Sequence, residues 1–158
     1  MRRLMMSAMA LVASSLAALA QDAPAESIPY CPELKQVTNL ALTRERFAPI
    51  IGKPREGNFR DTSLPLRGWK DCSFYGPTNY TCDSQGLKTA EEAAEAQAKI
   101  ARQILTCLGT TWSEATDRSS PGYIVLHPAL GPASITLNLD QTDQKDHVVR
   151  LTLFLRRN

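Results

Sequence analysis

The chain has 158 residues, 43% of them hydrophobic and 22% charged, with a formal charge of +2. That balance excludes a disordered polyelectrolyte, and so small a charge with no long basic run makes no case for nucleic-acid binding. The length suits one domain with its own hydrophobic core.

The chain begins MRRLMMSAMALVASSLAALA. Arg2 and Arg3 form a basic start, Leu4 to Leu16 are apolar or small, and Ala18-Leu19-Ala20 fits a signal-peptidase site. The expectation is a bacterial-type secretory signal peptide over 1–20 and a single exported α+β domain over 21–158, destined for the periplasm or secreted. The apolar run is too short to favour a retained anchor helix. Without Arg2 and Arg3, 16 basic residues face 16 acidic ones. No later stretch is apolar for long enough to span a bilayer, so no membrane insertion is expected after signal cleavage.

Gln21–Pro29 is a polar, proline-bearing leader. A helix is expected from Cys31, because Pro32 suits its first position and Glu33 its first turn. Leu34, Val37 and Ala41 share one face. Phe47–Ile51 forms either a last turn and short strand or a loop with its apolar residues tucked inward; Pro49 argues against a long element. Gly52–Gly68 has three glycines, two prolines and no clear period. It reads as a long loop, functional or loosely ordered, with an edge strand possible near Phe59 or Leu64–Leu66.

Trp69–Asp83 is the clearest hairpin, with Gly76-Pro77-Thr78-Asn79 as turn material. A five-residue loop would place Phe74 opposite Tyr80 and Cys72 opposite Cys82. A four-residue loop would shift that register. Asn79-Tyr80-Thr81 matches a glycosylation acceptor, which matters only in a eukaryotic host.

Thr89–Gly109 is the strongest helix signal. Thr89 and Glu92 make a capping box, acidic residues crowd the first turn, and Gly109 can end it. Ala93, Ala96, Ile100, Ile104 and Cys107 form an apolar stripe. Trp112 then caps the core below Leu108. Tyr123–His127, Ala133–Leu139 and His147–Arg156 read as strands; the last puts Val149, Leu151, Leu153 and Leu155 inward and Val148, Arg150, Thr152, Phe154 and Arg156 outward. The fold class expected is α+β: an antiparallel β-sheet of a hairpin plus three or four strands, packed by one long helix and a shorter N-terminal helix.

All four cysteines, Cys31, Cys72, Cys82 and Cys107, fall beyond position 20. An even count in an oxidising compartment implies two disulfides, and no pair has the close spacing of a zinc site. Cys72–Cys82 with Cys31–Cys107 is the pairing favoured by the hairpin register. The rival ties each hairpin cysteine to one helix.

Catalytic patterns are scarce. His127 and His147 are the two histidines, both at strand ends, and neither has a partner fixed by sequence. No nucleophile elbow, metalloprotease motif, phosphate loop or dinucleotide fingerprint occurs. Asp140, Asp143 and Asp146 lack the glycine and terminal glutamate of a calcium loop, and Lys145 opposes a cation. No cofactor, metal or catalytic residue is therefore assigned. Arg55, Arg60, Arg67 and Trp69 are the candidate partner-binding residues, since arginine and tryptophan most often carry interface energy. The competing reading puts Trp69 in the core and the arginines in solvent. The expected function is a small exported binding protein whose partner is another exported or envelope protein, such as an inhibitor or immunity protein for an envelope-acting enzyme. An accessory or structural factor of an envelope or secretion assembly, or a small hydrolase, are the alternatives.

Overall fold

The computed structural model describes residues 27–155; the expected signal peptide, most of the leader and Arg156 lie outside the described residues. Helix α1, Cys31–Leu42, starts with Pro32 and Glu33 in its first turn. It buries Cys31, Leu34, Val37, Thr38 and Ala41. Thr38 is tolerated inside because its hydroxyl donates to the Leu34 carbonyl at 2.8 Å, a back-bond open to helical threonine. A single 3₁₀ turn, Ala48–Ile50, follows, and buries Phe47 against Phe74 with ring centroids 5.3 Å apart.

Eight strands and a second helix follow: β1 Ile51–Pro54, β2 Phe59–Thr62, β3 Lys70–Tyr75, β4 Asn79–Asp83, α2 Ala90–Leu108, β5 Trp112–Glu114, β6 Tyr123–Pro128, β7 Ala133–Gln141 and β8 His147–Leu155. The strands form one sheet in the order β1-β2-β3-β4-β8-β7-β6-β5. Every neighbouring pair is antiparallel. The first four strands meander to the middle of the sheet. Helix α2 then carries the chain to the far edge, and the last four strands wind back until β8 meets β4.

The capping box of α2 is complete: the Glu92 amide donates to Thr89 Oγ1 at 3.1 Å, and the Glu92 carboxylate accepts from the Thr89 amide at 3.3 Å. Gly109, at φ 76°, ends the helix in a conformation that a side chain would strain. The helix buries Ala93, Gln97, Ala101, Ile104 and Cys107. Gln97 was not part of the expected stripe. Its amide donates to the Leu137 carbonyl at 2.8 Å, so a polar group inside is satisfied by the sheet beneath it.

Both helices pack on the same face, where Tyr80, Ile135, Leu137, Leu151 and Leu153 are buried. The period of two in β8 assigns its residues to faces as the sequence indicated, with Val149, Leu151, Leu153 and Leu155 in the core cluster. Val148, on the other face, is also buried. The long loop expected at Gly52–Gly68 is instead largely the β1–β2 hairpin, and the segment after α2 contributes edge strand β5. Trp112 is buried in that strand.

In the β3–β4 hairpin Phe74 faces Tyr80 and Tyr75 faces Asn79, leaving a three-residue turn with Gly76 at φ 63°. This keeps the parity of the five-residue reading. An irregularity between Lys70 and Ser73 places Asp71 at φ 48°. The disulfides are Cys31–Cys107, with Cα atoms 5.6 Å apart, and Cys72–Cys82, at 4.1 Å. The first joins the two helices; the second crosses β3 and β4.

Candidate functional site

The four candidate partner-binding residues divide into two settings. Arg55 and Arg60 belong to the β1–β2 hairpin, whose turn is made by Gly57 at φ 65° and closed by the Arg55 amide donating to the Phe59 carbonyl at 2.8 Å. Adjacent strand residues point to opposite faces, so Arg60 and Asp61 part company. The Arg55 guanidinium turns to the Asp61 side and forms an ion pair with it. Arg60 instead donates through Nε to the Gly52 carbonyl at 3.3 Å, and no carboxylate among the described residues pairs with it. It borders an edge hollow of about 550 Å³ whose walls include Ala48, Ile51, Pro54 and Pro77.

Arg67 and Trp69 stand at the start of α1. Arg67 donates to Glu33 Oε1 at 3.1 Å with its side chain 70% exposed. Trp69 is half-buried and meets Tyr30 edge-to-face, with ring centroids 5.6 Å apart. Nearby, the Tyr80 hydroxyl donates to the Leu64 carbonyl at 2.7 Å and so pins the loop that carries both residues. Burial pushes the Tyr30 and Tyr80 phenols well above their ordinary range.

The face of the sheet opposite the helices carries a second concavity, a groove of about 450 Å³ running over β2, β3, β4 and β8. Its register follows from the ladder. Asp61 pairs with Ser73, Ser73 with Thr81, and Thr81 with Thr152, so these four lie in one row on one face. The next row is Phe59, Tyr75, Asn79 and Phe154. Phe59 and Tyr75 are 44% and 49% exposed, with ring centroids 5.2 Å apart. The Thr81 hydroxyl donates to the Leu151 carbonyl at 3.1 Å and lies 3.4 Å from the Thr152 hydroxyl.

Arginine at the far side of the groove is neutralised in place. Arg150 donates through Nε and Nη2 to the two Asp83 oxygens at 2.7 and 2.9 Å, and also pairs with Asp140. The Asp83 hydrogen bonds hold the Arg150 guanidinium more firmly protonated than usual. Sequence reasoning had Arg150, Thr152 and Phe154 on one face of β8 but missed their neighbours. The signal was available: if Phe74 and Tyr80 face the core, then Tyr75, Asn79 and Thr81 face the other way.

The histidines enter neither concavity. His127 Nδ1 lies 3.2 Å from the Pro128 carbonyl, and the His147 backbone bridges to Leu87. Two of the three aspartates weighed as calcium ligands find basic partners: Asp140, at the end of β7, pairs with Arg150, and Asp146 with Lys88 at 2.8 Å. Lys88 holds the Asp146 carboxyl below the usual carboxylate range. No group of three or more metal-ligating side chains occurs among the described residues. No helix among them is long and apolar enough to cross a membrane. No known protein family, curated protein or solved structure matches the chain.

Proposed function

We propose that the chain is an exported, disulfide-stapled binding protein whose partner is another exported or envelope protein. The inhibitor or immunity role is the favoured form of that activity. Two disulfides support the exported part of the reading, because such bonds persist mainly in oxidising compartments. The pattern over residues 1–20 supports it independently.

The observation that carries the partner reading is Arg60. It is an exposed arginine without an acidic partner among the described residues, on the rim of a largely apolar hollow at the sheet edge. A partner that fills the hollow with an apolar side chain and offers a carboxylate to Arg60 would use both features. Interface energy concentrates in such anchors, and the charge sets orientation and rate. Arg55 and Arg67 already hold carboxylates, so each has less to offer.

The test is capture from an envelope extract with the oxidised protein, followed by affinity measurement on the captured partner. Arg60→Glu should weaken binding by about 2 kcal/mol or more, and Arg67→Glu by much less. Equal retention by both variants removes Arg60 from the interface and with it the basis of the proposal.

A further inference from the structure

We infer that the helix-free face of the sheet binds an N-acetylated glycan strand, the uncharged sugar backbone of the bacterial cell-wall polymer. This goes beyond the protein-partner reading and uses the adjoining groove, with Phe59 at the border of both concavities; it shares with that reading the export of the chain.

The groove has the composition such a ligand requires. Phe59 and Tyr75 stand together at one end, each residue nearly half exposed. Aromatic faces pack well against the C–H faces of sugar rings and against acetyl methyl groups, and the tyrosine hydroxyl adds a polar handle. Along the floor lie Ser73, Asn79, Thr81 and Thr152. Hydroxyls and a carboxamide both donate and accept, which matches the hydroxyl and acetamido groups of an N-acetylated hexose.

Charge argues against a polyanionic ligand. The lining carries two arginines, Arg55 and Arg150, and two aspartates, Asp71 and Asp83. Both arginines are already paired with carboxylates of this chain. A polyanion would therefore meet no free cation, while an uncharged chain brings no charge to desolvate, and Asp71, exposed and without an ion pair among the described residues, keeps its water at the margin. The volume of about 450 Å³ falls in the range of small-molecule sites. Length favours a chain over a single ring: four adjacent strands span about 14 Å across the sheet.

The site is also firm. Thr81 and Thr152 belong to the central β4–β8 pair, and the Cys72–Cys82 bridge lies behind the β3–β4 hairpin on the core side. A groove set on paired strands binds without first having to be ordered.

The experiment is co-sedimentation of the full oxidised protein with purified cell-wall sacculi, alongside calorimetric titration with a soluble β-linked N-acetylglucosamine tetramer and with the corresponding unacetylated glucose tetramer. The protein should bind sacculi and the acetylated tetramer but not the glucose tetramer. Phe59→Ala and Tyr75→Ala should each weaken binding about tenfold. Thr152→Val, which keeps the shape of the floor and removes a hydroxyl, should also weaken it. Arg60→Glu should leave it unchanged, which separates this site from the edge hollow. No binding to sacculi or to the acetylated tetramer by the wild-type protein overturns the assignment. So does equal binding of the glucose tetramer, or full retention of the acetylated tetramer by Phe59→Ala and Tyr75→Ala together.

Discussion

Removing the two disulfides one at a time should cost unequal amounts of stability, and the order follows from chain topology. Cys31–Cys107 spans 76 residues and Cys72–Cys82 spans 10. In the loop-entropy treatment a cross-link restricts the unfolded chain more when it closes a longer loop, giving about 4.5 kcal/mol for the first and about 2.7 kcal/mol for the second. Replacing a buried cysteine pair also leaves small cavities. All four cysteines are at least 92% buried, since none exceeds 8% exposure, so that cost is similar for both pairs and largely cancels in the difference. The Cys31→Ala/Cys107→Ala variant should therefore be less stable than Cys72→Ala/Cys82→Ala by roughly 2 kcal/mol. Equilibrium denaturation in urea, with both variants and the wild type followed by circular dichroism, measures the difference. Equal losses, or a larger loss from the hairpin pair, would refute the reasoning and place the stabilisation in local packing instead.

Three further outcomes can be checked on the same instruments. Thr89→Ala removes the acceptor for the Glu92 amide and should lower stability by about 1 kcal/mol, read as a shift of the urea midpoint with unchanged slope. Gln97→Leu strips the Leu137 carbonyl of its helix partner inside the core and should cost about 1–3 kcal/mol, whereas an exposed glutamine treated alike, such as Gln144→Leu, should cost almost nothing. Tyr30 and Tyr80 have phenols raised by burial, so unfolded tyrosine ionises first as pH climbs. Stability is then intact below about pH 10 and falls above it by about 1.4 kcal/mol per pH unit for each phenol. Tyr30→Phe with Tyr80→Phe should flatten this alkaline limb; an unchanged limb in the double variant would assign it to other groups.

Elements whose signals are local were legible in the sequence. The Thr89–Glu92 box, the Gly109 stop and the alternation of β8 each involve residues within a few positions of one another. The hairpin parity was legible for the same reason, because Phe74 opposite Tyr80 fixes every other pair. Strands β1 and β2 were harder to see. Each has four residues, β1 ends in Pro54, and β2 carries Arg60 and Asp61. Short length, proline and charge are the features that protect a sheet edge from unwanted pairing. They are also features that make a segment resemble a loop. Gln97 was missed because an apolar stripe has no place for a polar residue whose partner lies 40 positions away.

The arginine patch shows the same limit at the surface. Arg55, Arg60, Arg67 and Trp69 are close in sequence, but Asp61 engages Arg55 and Glu33 engages Arg67. Alternation along β2 leaves Arg60 on the side away from Asp61. The groove is still less local, since its floor exists only after Thr81 meets Thr152 across 71 residues. Charge counted along a chain finds neither the neutralised arginine nor the one left over.

Stability and binding should respond to the disulfides in opposite order. Cys31–Cys107 ties helix to helix, on the side of the sheet away from the groove. Cys72–Cys82 ties β3 to β4, the strands that supply Ser73, Tyr75, Asn79 and Thr81 to the groove. Opening the helix bridge should lower the unfolding free energy most, yet leave glycan affinity intact wherever the protein remains folded. Opening the hairpin bridge should cost less stability but let β3 shift against β4 near the irregularity at Asp71, where the ladder is already interrupted. Affinity for the acetylated tetramer should then fall in Cys72→Ala/Cys82→Ala and hold in Cys31→Ala/Cys107→Ala, both measured at a temperature where each variant is folded. A common order for the two properties would mean that the groove depends on global stability alone, and that the hairpin bridge has no particular part in shaping it.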